Sequence, residues 1–183
     1  MEKPKEVLDV ANFKEGNISL IIDSYDDIFS SFDPRHSSQR ALSDDFLQEA
    51  TRASRDQEGN FELKLLVPKA KRNLKEELLI KRRLKNHFFR HYHIARKETK
   101  KIIYQGLFFV GLGIILMFIA TLIMLKESMK DTFWSLIVYI LQPAVWFLFW
   151  EGLGLIIFES KKTKPELDFN EKMARASITF ASY

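Results

Sequence analysis

The sequence predicts a membrane α-helical hairpin of two transmembrane helices joined to a small cytoplasmic α/β domain, a βαβ unit whose sheet is completed by a C-terminal strand. Three observations carry this expectation. Residues 102–125 and 132–150 contain no charged side chain. Lysines and arginines crowd the outer flanks of these two runs and are sparse between them. Short β-branched or alternating segments at 17–24, 61–67 and 176–183 lie on both sides of the apolar pair.

The net charge of +4, from 28 Lys or Arg against 24 Asp or Glu, conceals an asymmetry. Residues 1–60 are acidic on balance, whereas 69–101 hold thirteen Lys or Arg and three Glu. The chain has no cysteine, which excludes disulfides, thiolate metal sites and a catalytic thiol, and fits a reducing compartment. Residues 1–16 form a polar N-terminal segment without the apolar core of a cleaved signal peptide, so the first apolar helix is expected to direct insertion itself.

Residues 17–70 read as the βαβ part. NISLIIDS, 17–24, is short, apolar and β-branched, as a buried strand requires. FELKLLV, 61–67, puts Phe61, Leu63, Leu65 and Val67 on one face and Glu62 and Lys64 on the other. Between them LSDDFLQEATRAS reads as a helix with Ser43 as N-cap, Asp44 and Asp45 complementing its dipole, and Phe46, Leu47 and Ala50 facing the sheet. Two strands make a weak core, and the terminal ASITFASY, 176–183, offers a third.

Residues 71–101 form a basic amphipathic juxtamembrane helix with Leu74, Leu78, Leu84, Phe88, Tyr92 and Ala95 approximating one stripe. It either continues into the first span or lies flat on the inner leaflet. Its cations Lys81, Arg82, Arg83, Lys85, Arg90, Arg96, Lys97, Lys100 and Lys101 are the expected contacts to anionic lipid headgroups, each worth roughly 1 kcal/mol near the surface. A basic run immediately before a membrane span is accounted for by the lipid, so no nucleic-acid partner is expected. His87 and His91 share a helix face at a spacing that can hold zinc, but no acidic third ligand follows at helical spacing, and both read as interfacial histidines able to titrate between pH 5 and 8.

Residues 102–125 are the first span: at 1.5 Å per residue they exceed a hydrocarbon core of roughly 30 Å. Residues 126–131 are the external turn and 132–158 the second span, leaving 159–183 as a cytoplasmic tail ending in a strand. The basic flanks outweigh Lys126 and Lys130 in the turn, which is expected to place both termini on the cytoplasmic side of the membrane. Three polar side chains stand inside the spans: Gln105, Gln142 and Glu151. Pro143 is expected to kink the second span. Glu151 facing lipid would cost on the order of 3 kcal/mol, so it either bonds to Gln105 or Tyr104 at similar depth or faces a polar path between protomers. Gly106, Gly111 and Gly113 match the depth of Gly152 and Gly154, which allows a close helix approach.

The densest polar cluster is SYDDIFSSFDPRHSSQR, which follows the first strand, a position where α/β units commonly bind ligands. Asp23, Asp26, Asp27, Asp33, Arg35 and Arg40 are the ligand or metal candidates, and the carboxylates are hard oxygen donors suited to Mg²⁺ or Ca²⁺. Their spacing matches neither an EF-hand nor a P-loop. The alternative is structural: Asp33 and Pro34 in a turn, the arginines paired with aspartates, and Tyr25, Ile28, Phe29 and Phe32 packed as a short helix. No motif of a hydrolase, metalloprotease or nucleotide-binding enzyme occurs, and no catalytic residue is assigned.

With SYDDIFSSFDPR followed by RALSDDF, the chain resembles a group of small two-span bacterial membrane proteins of uncharacterised function. That resemblance implies an inner-membrane setting and no activity. The expected function is a homo-oligomeric membrane-anchored scaffold, regulator or small pore. The alternatives are a sensor or enzyme that binds a ligand or divalent metal in the aspartate loop, and a membrane subunit that docks a soluble protein partner.

Overall fold

The computed structural model describes residues 17–33, 40–55, 61–125 and 132–183, so Arg35, the segment 1–16 and the turn 126–131 lie outside the described residues. The elements run β1 (Asn17–Ile21), a 3₁₀ turn (Tyr25–Ile28), α1 (Asp44–Ser54), β2 (Glu62–Val67), α2 (Leu74–Leu125), α3 (Thr132–Gly154), a π-helical turn (Leu155–Glu159), α4 (Ser160–Arg175) and β3 (Ser177–Ser182). They form two compact units: residues up to Tyr92 together with Phe169–Tyr183, and His93–Asp168.

The first unit is a two-layer α/β structure. Its three strands are all parallel in the order β1-β2-β3, with Asn17 opposite Glu62 and Glu62 opposite Ser177. The strand at the end of the chain thus pairs with β2, as its composition predicts. Alternation decides the buried face: Leu63, Leu65, Val67 and Ile178 are fully buried, while Ile21 on the opposite face of β1 is exposed. Phe46 and Ala50 of α1, Ile80, Leu84 and Phe88 of α2, and Met173 of α4 join them in one core. Ser43 sits at the N-cap of α1 with extended backbone, but its hydroxyl makes no cap hydrogen bond, leaving Asp44 and Asp45 to complement the first turn. At the other end Lys172 donates to the carbonyls of Ser54 and Arg55, occupying acceptors that a helix C-terminus leaves open.

The face that α2 turns to this core matches the sequence expectation at Leu84 and Phe88 and departs from it in the first two turns. Leu74 and Leu78 are 72% and 69% exposed, and the buried positions are Glu77, Ile80, Leu84 and Phe88. A carboxylate replaces the expected leucines because Arg72 and Tyr25 satisfy it, as described below. The helix is also unbroken for 52 residues, so the basic segment continues into the apolar run rather than forming a separate element.

The second unit holds residues 93–125 and 133–168 of the two helices long and apolar enough to cross a membrane, whose mean hydropathy is 2.8 and 1.6 over their most apolar stretches. Only 6% and 11% of those stretches is buried within the chain, the reverse of what the core helix of a soluble protein shows. The helices run antiparallel and meet at two glycines. A Cβ added at Gly106 would lie 2.8 Å from the Gly152 carbonyl oxygen, and one added at Gly152 would lie 2.7 Å from the Gly106 carbonyl oxygen. Contacts that short require side chains of hydrogen alone. Gly113 packs against Val145 at ordinary distance, whereas Gly111 and Gly154 face open space, so only part of the expected glycine set makes the crossing. Further along, the Thr99 and Thr163 hydroxyls lie 3.0 Å apart. Helix α3 continues through Pro143, and the π turn joins it to α4 without a break.

Candidate functional site

The carboxyl ends of the parallel strands carry the densest polar chemistry, built by the chain leaving β1 and the start of α2. Ser24 caps the 3₁₀ turn by accepting from the Asp26 N–H, and Asp27 reaches back to accept from the N–H groups of Asp23 and Ser24 at 2.9 and 2.8 Å. Asp26 pairs with Arg40 at 2.9 Å, and Asp33 accepts from the Ala41 N–H at 3.0 Å. The Asp23 carbonyl accepts from Lys71, and its carboxylate from the Tyr183 hydroxyl at 3.3 Å. The loop therefore uses its aspartates one at a time. Among the described residues no group of three or more His, Asp or Glu side chains is placed to hold a metal ion.

Sequence reasoning missed the strongest cluster. Arg72 donates to Glu77 through both Nε and Nη2 at 2.9 Å, and the Tyr25 hydroxyl donates to the same carboxylate at 2.9 Å while accepting from the Asn73 N–H. Glu77 is 6% exposed. The Arg72 hydrogen bonds, aided by Tyr25, hold its carboxyl below the usual carboxylate range, and burial pushes the Tyr25 phenol up. The signal in the sequence was Asn73 three residues before Glu76, a helix-start pattern, and the Asn73 side chain does accept from the Lys75 N–H.

Beside this cluster lies a groove of about 560 Å³ between the 3₁₀ turn and α2, lined by Ser24, Tyr25, Asp26, Phe29, Lys71, Glu76, Leu79, Ile80, Arg82, Arg83 and Asn86. Its size is that of a small-molecule site. Arg83 lies over the Phe29 ring at 4.5 Å, while Glu76, Arg82 and Asn86 make no hydrogen bond or ion pair with another described residue.

The cations expected at headgroups divide into two sets. Lys81, Arg82, Arg83, Lys85 and Arg90 belong to the α/β unit, where Lys85 donates to the Ala174 carbonyl at 3.5 Å. Arg96, Lys97, Lys100 and Lys101 belong to the apolar unit and line an open basic cleft of about 670 Å³ with His93 and Tyr104. The His87 and His91 rings stack at 4.2 Å. Burial, then His91 and Arg83, lower the His87 pKa to about 4, so His87 does not titrate in the expected window.

No family model, curated protein or solved structure matches this chain.

The polar residues of the apolar helices remain. Gln105, Gln142 and Glu151 are all exposed, and none makes a hydrogen bond within the described chain, Glu151 with Gln105 or Tyr104 included. Gln105 and Glu151 each precede a crossing glycine and so fall on one side of the antiparallel pair. Gln142 stands nine residues before Glu151, two and a half helical turns, and faces the other side. There it lines a largely apolar groove of about 430 Å³ with Gly113, Met117, Thr121, Val138, Val145, Trp146 and Phe149 among its walls.

Proposed function

We propose that the chain is a bacterial inner-membrane protein, both termini cytoplasmic, that self-associates in the bilayer and serves as a membrane-anchored scaffold or regulator. One observation carries this reading: Gln105, Gln142 and Glu151 on bilayer-length helices are exposed and lack partners among the described residues of their own chain. A polar group facing hydrocarbon is costly, on the order of 3 kcal/mol for a carboxylate at a helix centre, and a neighbouring protomer supplies what the lipid does not. The basic cleft of Arg96, Lys97, Lys100 and Lys101 suits anionic headgroups at the inner surface. Native mass measurement of the detergent-purified protein tests the reading, with a discrete oligomer expected and a monomer at all concentrations refuting it. The pore form of the proposal is narrower. Gln142 and Glu151 occupy opposite faces of α3, so a single path is lined by Glu151 and Gln105 alone, and Glu151→Gln must alter ion or proton flux of the reconstituted protein.

A second reading, a ligand-binding regulator, is favoured by the groove at the sheet edge, where Arg82, Glu76 and Asn86 stand without partners among the described residues. Calorimetric titration separates its forms. Heat with inorganic phosphate that disappears in Arg82→Gln supports an anion in the groove. Heat with Mg²⁺ or Ca²⁺ that disappears in Asp26→Asn supports a cation at the aspartate loop. Silence for all three removes both.

A further inference from the structure

We propose that the groove lined by Gln142 is the interface with a second copy of this chain, a two-fold dimer in which the Gln142 amides hydrogen-bond to each other within the membrane. The inference rests on the self-association reading and names the face that performs it.

Gln142 is the eleventh residue of α3 (Thr132–Gly154), about 15 Å from the helix start at 1.5 Å per residue, which is mid-bilayer. The amide carries two donors and an acceptor, is exposed, and has no partner among the described residues of its own chain. Pro143, next to it, has no N–H to donate to the Tyr139 carbonyl one turn back, so a backbone acceptor is freed on the same turn. The groove itself offers little: the Thr121 hydroxyl already donates to the Met117 carbonyl.

The occupant follows from this chemistry. An acyl chain has neither donor nor acceptor and would leave the amide unsatisfied. A primary amide is self-complementary, and a two-fold axis along the membrane normal sets every residue at the same depth as its own copy. The copy therefore presents the one polar group of matching depth and hydrogen-bonding character without any further constraint. Tyr139, Gln142 and Trp146 recur at three- and four-residue spacing, so the aromatic residues flank the amide on the same stripe, and both are exposed, at 73% and 58%. Glu151 and Ala144 lie on the other side of α3 and stay outside this interface.

The absence of native cysteine makes the test direct. Trp146→Cys and, as a second reporter, Tyr139→Cys are oxidised in native membranes of the full-length protein, with Ala144→Cys as the opposite-face control. Disulfide-linked dimers are expected at 146 and 139 and not at 144. Adding Gln142→Leu to either reporter lowers the linked fraction about three- to twenty-fold, the range of an interhelical polar contact in a membrane, and Gln142→Asn retains most of it. Linking at 144 instead, or full linking in Gln142→Leu, overturns the assignment of this face. If an oligomer is nevertheless seen by native mass, the self-association reading survives that result. Monomers by both methods overturn the two together, and a crosslink from 146 to a different protein overturns the second copy as occupant.

Discussion

A single carboxylate, Glu77, shows how a residue that looks solvent-bound comes to lie in a core. Its bidentate contact to Arg72 and its bond from Tyr25 replace the water it loses, and these bonds also tie the loop after β1 to the first turn of α2. Arg72→Ala leaves a buried charge unpaired and is expected to destabilise the α/β unit by about 1–3 kcal/mol, with Arg72 itself partly exposed. Tyr25→Phe, which removes one donor and one acceptor, costs about 1–2 kcal/mol; denaturant titration of both variants checks the order. His87 gives the unit a pH dependence of defined sign. Its folded pKa of about 4 lies below the ordinary 6.5, so the unfolded chain binds the proton more readily between those values. Stability is therefore full above pH 6.5 and falls as the pH drops towards 4. His87→Gln should flatten the dependence in that window, and an unchanged slope would assign it to other groups.

Among the elements, the crossing of α2 and α3 is the least tolerant of added volume. Gly152→Ala forces a methyl against the Gly106 carbonyl oxygen at 2.7 Å and the Val110 nitrogen at 2.8 Å, and the helices must separate. A loss of about 1–3 kcal/mol follows, as for other overpacked contacts. Gly113→Ala, whose added carbon meets its neighbours at 3.5 Å or more, should leave the thermal midpoint in detergent nearly unchanged. Equal effects from the two would refute the crossing geometry. This scale also shows what was legible in the sequence. The apolar runs and the alternating strands were readable because composition and period suffice to set them. The first two turns of α2 are not, because Leu74 and Leu78 are apolar yet stand about 80° and 120° around the helix from Leu84, whereas the charged Glu77, which stands about 20° from it, is buried with Arg72 and Tyr25 as partners. The π turn at Leu155–Glu159 left no trace in apolar periodicity, since every residue of Leu155–Phe158 is apolar. In the aspartate loop the sequence admits a pairing of its arginines with aspartates, and Arg40 takes Asp26, whereas the groove is not legible there, since two of its walls lie some fifty residues apart in the chain.

For the molecule as a whole, the sheet draws its strands from both sides of the apolar helices in the sequence. β3 pairs in register with β2 from Glu62–Ser177 to Val67–Ser182, and backbone bonds between Tyr183 and both Val67 and Lys69 extend the ladder to the last residue. Ile178 is fully buried beneath it. Ile178→Ala removes a buried aliphatic side chain, and about 2–5 kcal/mol is the expected cost, a large fraction of what so small a core supplies. Because the chain forms two compact units, the loss should be confined to one of them. Hydrogen exchange in detergent resolves this: amides of β1 and β2 lose protection in Ile178→Ala while those of 102–125 keep it. Protection retained in β1 and β2 would mean that the βα-β part stands without its third strand, and loss throughout would mean that the two units fold as one.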